Sequence, residues 1–235
     1  MFFFDIDDTL YDLADPFRKT CESFFNDDLK LPMDELFLAF RKHGEVSFTA
    51  VEKGQMSMQE MYCYRLQRAF EEYGIKMSEE EALAFQKAYQ KHQYRIALSE
   101  QMKRFFDDYS RTVAFGILSN GPAKHQWDKG KSLGVLQWIK EENIIISGDV
   151  GVIKPDERIF RIAEEKAQNR EPWMVGDSFE SDITGAHKAG WHSIWINRRR
   201  RVAKDDSVLP DYTVYSEEEM IDTLKQIIQK GESVK

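Results

Sequence analysis

Short apolar runs alternate with amphipathic stretches through the second half of the chain. The apolar runs have the length and the β-branched and aromatic content of buried strands. Two of the amphipathic stretches end at Gly134 and Gly190, where a helix terminus favours a residue with positive φ. The predicted strands are residues 1–5, 112–118, 143–147, 173–176, 192–196 and 212–214, and the predicted helices are residues 123–133, 156–167, 181–189 and 216–229. This alternation predicts a parallel sheet with helices on both faces.

The long stretch between the first and second predicted strands shows only helical patterns. Ser57 with Glu60 and Ser78 with Glu81 have capping-box spacing, and an apolar stripe at helical spacing follows each pair. The pattern predicts an all-helical insert, residues 15–100, in an α/β core made of residues 1–14 and 101–235. The expected fold class is therefore α/β, a Rossmann-like doubly wound parallel sheet interrupted by a helical domain.

Composition and charge narrow the class of partner. The net charge of −8 argues against a nucleic-acid partner, because binding to a phosphate backbone needs clustered cations. The chain has no charged-then-apolar leader, and no apolar run approaches the roughly 18 residues that span a membrane. We expect a cytoplasmic protein that does not bind membranes, with Cys21 and Cys63 as reduced thiols. The oligomeric state stays open.

Polar side chains follow four of the predicted strands at the point where each strand ends. They are Asp5, Asp7 and Thr9 after the first strand, Ser119 and Asn120 after the second, Lys154 after the third, and Asp177 and Asp182 after the fourth. Ligands of a doubly wound sheet bind at the carboxyl ends of its strands. Clustered carboxylates repel each other, and a hard divalent cation, Mg²⁺ above all, relieves that repulsion. A lysine and neutral donors suit phosphate oxygens, so the edge predicts phosphoryl transfer.

Each motif has a plainer interpretation when it is taken alone. Asp-x-Asp-Asp-Thr and Ser-Asn-Gly are common polar turns, Lys-Pro is a usual helix start, and Gly-Asp-Ser is a strand-to-helix turn. Their occurrence in order, each at a predicted strand end, favours the functional interpretation. We expect the arginines at residues 198–201 to lie in a solvated loop, the five histidines to take no part in chemistry, and the tryptophans to pack in the core or against helices.

Taken together, the motifs resemble those of the haloacid dehalogenase superfamily, in the branch with a helical cap inserted after the first strand. The stretches that carry the resemblance are FDIDDTLYD (4–12), ILSNGP (117–122), SGDVGVIKPDERIF (147–160), VGDSFESDITGAHKAG (175–190) and PDYTVYS (210–216). The resemblance covers the core, whereas the insert matches only in position and helical character. The chain departs from the family in one respect, since only four residues precede Asp5.

The resemblance implies a role for each position. Asp5 is the expected nucleophile, and Asp7 is the expected acid and base. The implied Mg²⁺ ligands are Asp5, the backbone carbonyl of Asp7, and Asp177, with Asp182 and Thr9 supporting them. Ser119, Asn120 and Lys154 are expected to bind the phosphoryl oxygens.

The expected activity is that of a phosphatase acting on a small phosphorylated metabolite. Gln126, after SNGP, points toward the nucleotidase-like members of the family. Dehalogenases of the family lack an aspartate two residues after the nucleophile, so Asp7 favours attack on phosphorus. A phosphomutase on the same core remains an alternative. So does a receiver-type signalling domain, whose phospho-acceptor would be Asp149 on the third strand.

Overall fold

Six parallel strands form one sheet in the order β3–β2–β1–β4–β5–β6. They are β1 (Phe2–Phe4), β2 (Phe115–Ser119), β3 (Ile144–Ile146), β4 (Trp173–Gly176), β5 (His192–Ile196) and β6 (Tyr212–Val214). The structure is a computed structural model that describes residues 1–25, 30–168, 170–203, 205 and 207–232. The strand order reverses at β1, which confirms the predicted doubly wound α/β architecture.

The central strand β1 is buried along its whole length. Phe3 pairs with Gly116 on β2 and with Met174 on β4. A Cβ atom at position 116 would stand 2.6 Å from the Phe3 ring, so only glycine leaves room for that side chain. Close packing on both sides holds the end of β1, and with it Asp5, in one position.

Residues Leu13–Ile96 form one compact unit, and Met1–Asp12 with Ala97–Lys235 form the other. The helices of the first unit are α1 (Asp15–Phe25), α2 (Met33–Glu52), α3 (Met58–Glu71) and α4 (Glu79–Gln93). Ser57 and Ser78 cap α3 and α4 through complete capping boxes, as their spacing predicts. Phe17 is fully buried in this unit's own apolar core. The identification of this unit as a cap domain stays a prediction.

The helices of the second unit surround the sheet. They are α5 (Glu100–Tyr109), α6 (Ala123–Leu133), α7 (Ser147–Val150), α8 (Glu157–Ala167), α9 (Thr184–Ala189) and α10 (Glu217–Glu232). Gly134 and Gly190 follow α6 and α9 with φ of 71° and 75°, as predicted. No helix within the described ranges is long and apolar enough to cross a bilayer.

Several predicted boundaries differ from the structure by one to three residues. The second strand begins at Phe115, three residues later than predicted. Ser147 begins α7 instead of ending the third strand. Residues 181–183 belong to a wide π-type turn, Phe179–Ile183, instead of a regular helix. The Ser178 hydroxyl accepts a hydrogen bond from the Ser181 N–H, and the Thr184 hydroxyl donates to the Phe179 carbonyl. Side-chain bonds of this kind compete with regular helix hydrogen bonding at the first turn.

Candidate active site

Asp5 lies at the carboxyl end of β1 and is 7% exposed. Its N–H donates to the Val175 carbonyl at 2.9 Å, which continues the ladder between β1 and β4 by one residue. Its Oδ1 accepts hydrogen bonds from the Ser119 hydroxyl at 3.0 Å and from Lys154 Nζ at 2.8 Å. The parallel sheet therefore brings three of the predicted residues together, because β1 and β2 end at the same edge.

The ammonium group of Lys154 is buried among oxygen atoms. It also donates to the Leu118 carbonyl at 2.7 Å and lies 2.6 Å from Asp182 Oδ1. Burial alone would lower the pKa of Lys154, but the carboxylates of Asp182 and Asp5 outweigh burial and raise that pKa above its usual value. Lys154 consequently stays charged throughout the physiological pH range.

Three carboxylates form a cluster beside this lysine. One oxygen from each of Asp5, Asp177 and Asp182 lies within 4.8 Å of the others. Burial, followed by the charges of Asp182 and Asp5, raises the pKa of Asp177 to about 8. Burial also raises the pKa of Asp182 to about 6, although Lys154 opposes the shift. The cluster offers oxygen atoms at a site where negative charge is costly, and this donor set fits a hard divalent cation such as Mg²⁺.

Asp182 is held by the backbone that follows β4. The Ser178 N–H donates to Asp182 Oδ2 at 3.0 Å. Gly176, the last residue of β4, makes this approach possible, because a Cβ atom there would stand 2.2 Å from the same oxygen. The glycine of the Gly-Asp-Ser motif therefore has a packing role that its sequence neighbours do not reveal.

The side chain of Asp7 lies against three donors. Lys129 Nζ donates to its two oxygens at 2.7 and 2.6 Å, Gln126 Nε2 donates at 3.1 Å, and the Tyr11 hydroxyl donates at 2.5 Å. Burial alone would raise the pKa of Asp7, but the charge of Lys129 and these hydrogen bonds lower it below its usual value. Asp7 is therefore a carboxylate in this structure.

Sequence reasoning missed Lys129. The sequence feature that could have indicated it is its spacing: Lys129 comes three residues after Gln126 on α6, so both side chains lie on one face of the helix. That face is the one turned toward Asp7, since both residues donate to its carboxylate. The sequence pattern singles out the motif before α6 and Gln126 on the helix, whereas Lys129 belongs to no motif.

Asn120 and Thr9 make contacts other than those predicted. The Asn120 amide donates to the Lys154 carbonyl at 3.0 Å and accepts from the Lys154 N–H at 2.8 Å. Both ends of the amide thus hold the backbone of Lys154, and the expected contact of Asn120 with a phosphoryl oxygen stays a prediction. The buried Thr9 hydroxyl has no hydrogen-bond partner among the described residues, whereas its carbonyl accepts from Arg198.

The predicted solvated loop after β5 is wrong for two of its four arginines. Arg198 donates to the carbonyls of Asp8 and Thr9 at 3.1 Å each. The Arg199 side chain is 6% exposed and pairs with the carboxylates of Asp8 and Asp12. Asp8 adopts φ of 58°, a conformation that non-glycine residues rarely hold without support. The two arginines supply that support to the loop that carries Asp7.

Asp149, the phospho-acceptor in the receiver interpretation, lies apart from the carboxylate cluster. It is exposed on α7, and its side chain accepts a hydrogen bond from Trp127 Nε1 at 2.9 Å. The described carboxylates that group closely enough to hold a metal ion are Asp5, Asp177 and Asp182. The geometry therefore does not favour Asp149 as the reacting residue.

A doubly wound sheet with carboxylates and a buried lysine at one strand edge places the chain among the α/β domains that bind ligands at that edge. The model of the family described as haloacid dehalogenase-like hydrolases matches residues 1–190. The chain belongs to this family.

Curated relatives of the chain include proteins named as phosphatases. Glyceraldehyde 3-phosphate phosphatase of Methanopyrus kandleri is 30% identical over 117 residues, which are 48% of this chain and 49% of that protein. Pyrimidine 5'-nucleotidase YjjG of Escherichia coli is 35% identical over 108 residues, 45% of this chain and 47% of the relative. The alignments thus span about half the length of these relatives.

The solved structures add a likeness of fold. A crystal structure of YfnB from Bacillus subtilis bound to magnesium superposes with a TM-score of 0.64 at 22% identity. The match covers 95% of this chain and 97% of that one. At this identity the likeness bears on the fold alone, and it extends over both units of the chain.

Proposed function

We propose that this chain is a Mg²⁺-dependent phosphatase that hydrolyses small phosphate monoesters through an aspartyl-phosphate on Asp5. The observation that carries the proposal is the environment of the Asp5 carboxylate. Ser119 and Lys154 both donate to Oδ1, whereas none of the described residues donates a hydrogen bond to Oδ2. A carboxylate held by one oxygen and accessible at the other suits nucleophilic attack. The named activities of the two relatives support a phosphate ester as the substrate.

In the first half-reaction the Asp5 carboxylate attacks phosphorus, and the bond from phosphorus to the ester oxygen breaks. Asp7 gives a proton to the departing oxygen. In the second half-reaction Asp7 takes a proton from water, the hydroxide attacks phosphorus, and the bond to Asp5 breaks to release phosphate. The carboxylate form in which Lys129 and Tyr11 hold Asp7 is the form that the second half-reaction uses.

Positive groups stabilise the phosphoryl oxygens during both steps. Lys154 is charged, buried and fixed by Asn120, so it meets the transferring group without reorganisation. The Ser119 hydroxyl adds a neutral donor. Asp5, Asp177 and the backbone carbonyl of Asp7 would hold Mg²⁺, and the bound ion would neutralise the cluster and polarise the phosphoryl oxygens. Asp182 orients Lys154 through their ion pair.

Two other activities are less well supported by the site, and a third would use the same residues. A dehalogenase has no need of the second aspartate, which the structure holds with three donors. A receiver domain would phosphorylate Asp149, which lies outside the cluster. A phosphomutase would use the same core residues, and it would turn over only in the presence of a bisphosphate primer.

A panel of phosphorylated metabolites with Mg²⁺, read by release of inorganic phosphate, tests the proposal. The panel includes nucleoside monophosphates, because Gln126 follows the SNGP motif as in nucleotidase-like members of the family. EDTA should abolish release, and Mg²⁺ should restore it. Ca²⁺ should support little activity, because its looser coordination spoils in-line attack. Full activity in excess chelator would refute the metal dependence.

The Asp5→Asn variant tests the nucleophile, and Asp149→Asn is its matched control. Asp5→Asn should lose at least about a thousandfold in rate, because the covalent step has no substitute at this position. Asp149→Asn should keep the wild-type rate. Acid quenching during turnover should trap phosphate on the wild-type protein and on Asp149→Asn, and not on Asp5→Asn. Substantial turnover by Asp5→Asn would exclude the aspartyl-phosphate mechanism.

A further inference from the structure

The contacts of Asp7 come from two different parts of the core. Tyr11 is four residues away in the same loop, whereas Lys129 and Gln126 are about 120 residues away on α6. Lys129 Nζ lies almost equally far from the two carboxylate oxygens, at 2.7 and 2.6 Å. Contact with both oxygens restricts rotation of the carboxylate as well as its distance from α6.

The helix that carries Lys129 is itself anchored to the site. Gln126 Nε2 also donates to the Asn120 carbonyl at 2.7 Å. The Gly121 N–H, just before α6, donates to the Ser147 hydroxyl at 2.9 Å. The first turns of α6 are therefore bound to the segment that follows Ser119. These contacts hold the helix that carries Lys129 in place beside the site.

Lys129 is largely buried, since its side chain is 15% exposed and that of Asp7 is 27% exposed. A lysine whose only purpose was a surface ion pair would lie further in solvent, as Lys124 does on the same helix with 88% of its side chain exposed. The Lys129 ammonium group makes its described hydrogen bonds to Asp7, and none of them to Asp5 or the phosphate-binding residues. The hydrogen bonds of Lys129 therefore connect it to the site through Asp7.

We infer that Lys129 is a positioning residue that orients the Asp7 carboxylate for proton transfer. The inference rests on the proposed function. Hydrolysis of the aspartyl-phosphate needs an oriented base to activate water. The departure of a basic alkoxide needs an oriented acid to protonate it. Phosphorylation of Asp5 by p-nitrophenyl phosphate needs neither, because nitrophenolate leaves unassisted. Lys129 thus serves one half-reaction with this substrate and leaves the other unaffected.

Rapid-mixing kinetics with p-nitrophenyl phosphate separate the two half-reactions. Lys129→Met should release about one equivalent of nitrophenol at the wild-type rate, and then turn over at least about tenfold more slowly than wild type. Lys129→Arg, which keeps a donor to both oxygens, should recover most of the lost rate. Lys131→Met, an exposed lysine on the same helix, should behave as wild type. Equal slowing of burst and steady state, or no slowing at all, would overturn the inference.

A double-mutant cycle distinguishes positioning from a general effect on the fold. In the Asp7→Asn background, Lys129→Met should cause no further loss, because the residue that it orients no longer transfers protons. A further loss of the same size in that background would overturn the inference. If Lys129→Met does not fold, as judged by its melting temperature, Lys129→Gln replaces it in the cycle. A wild-type protein that releases no phosphate from any ester would instead refute the proposed function.

Discussion

Substitution of Lys154 by methionine removes the cation that compensates the buried carboxylates. The Lys154 side chain is 2% exposed, and it lies 2.8 Å from Asp5 and 2.6 Å from Asp182, which is itself 1% exposed. Methionine has a similar length and no charge, so the change leaves two buried carboxylates uncompensated. Breaking a buried pair from one side costs about 3–5 kcal/mol of folding free energy. We expect a loss of that size at pH 7.5 in EDTA.

The pH dependence of this loss has a definite sign. The carboxylate pKa of Asp182 is raised to about 6 even with Lys154 present, and removal of the lysine raises it further. A carboxyl group with a raised folded-state pKa destabilises the fold in full above that pKa. The cost shrinks as the pH falls through the folded-state pKa, and it is gone only below the unfolded-state pKa of about 4. Between pH 7.5 and 5.5 the loss should shrink by up to about 2 kcal/mol at Asp182, because the wild-type carboxyl, with its pKa of about 6, already takes up protons over part of this range.

Urea unfolding in EDTA at the two pH values measures both quantities. Lys124→Met is the matched control, because Lys124 pairs with Asp128 at 2.6 Å on the surface, with its side chain 88% exposed. This control should change the unfolding free energy little at either pH. A Lys154→Met loss that equals the control, or one that does not change with pH, would refute the electrostatic account of the cluster.

Three further predictions concern the same edge of the sheet. A proton on Asp177 would compete with the proposed Mg²⁺ ion. The Kd for Mg²⁺ from calorimetry should therefore fall about fiftyfold from pH 6 to pH 8 for an Asp177 pKa of about 8, and a constant Kd would contradict this. Gly176→Ala should destabilise the fold by about 1–3 kcal/mol in thermal unfolding, because its Cβ atom overlaps Asp182. Gly130→Ala, whose Cβ atom would meet only Val135 at 3.5 Å, is the control and should be neutral or stabilising. With p-nitrophenyl phosphate, Asp7→Asn should release one burst of nitrophenol and then stall. With an alkyl phosphate it should give no burst. Equal slowing on both substrates would assign the acid–base role to another residue.

Local sequence pattern was sufficient for the sheet and for the positions of most candidate residues. Alternating apolar runs and helical stretches predicted six strands, and all six are present in one parallel sheet. Parallel strands end at a common edge, so Asp5, Ser119 and Asp177 could be placed there without coordinates. The predicted helix start at residue 181 is wrong, because a side chain competes with the backbone there, as Ser178 does at the π-type turn.

The tertiary structure decided which side chains contact one another. Lys129 binds Asp7 across 122 residues of sequence, and Arg198 supports the Asp8 carbonyl across 190. Asn120 follows the second strand, where its sequence position predicts phosphate binding. In the structure both ends of its amide form hydrogen bonds with the Lys154 backbone. Strand and helix periodicity is a local property that neighbouring residues determine, whereas the direction of a long polar side chain depends on burial and on partners from distant segments. The local sequence pattern therefore predicts the edge of the sheet that carries the candidate residues, and packing determines which of their side chains contact one another.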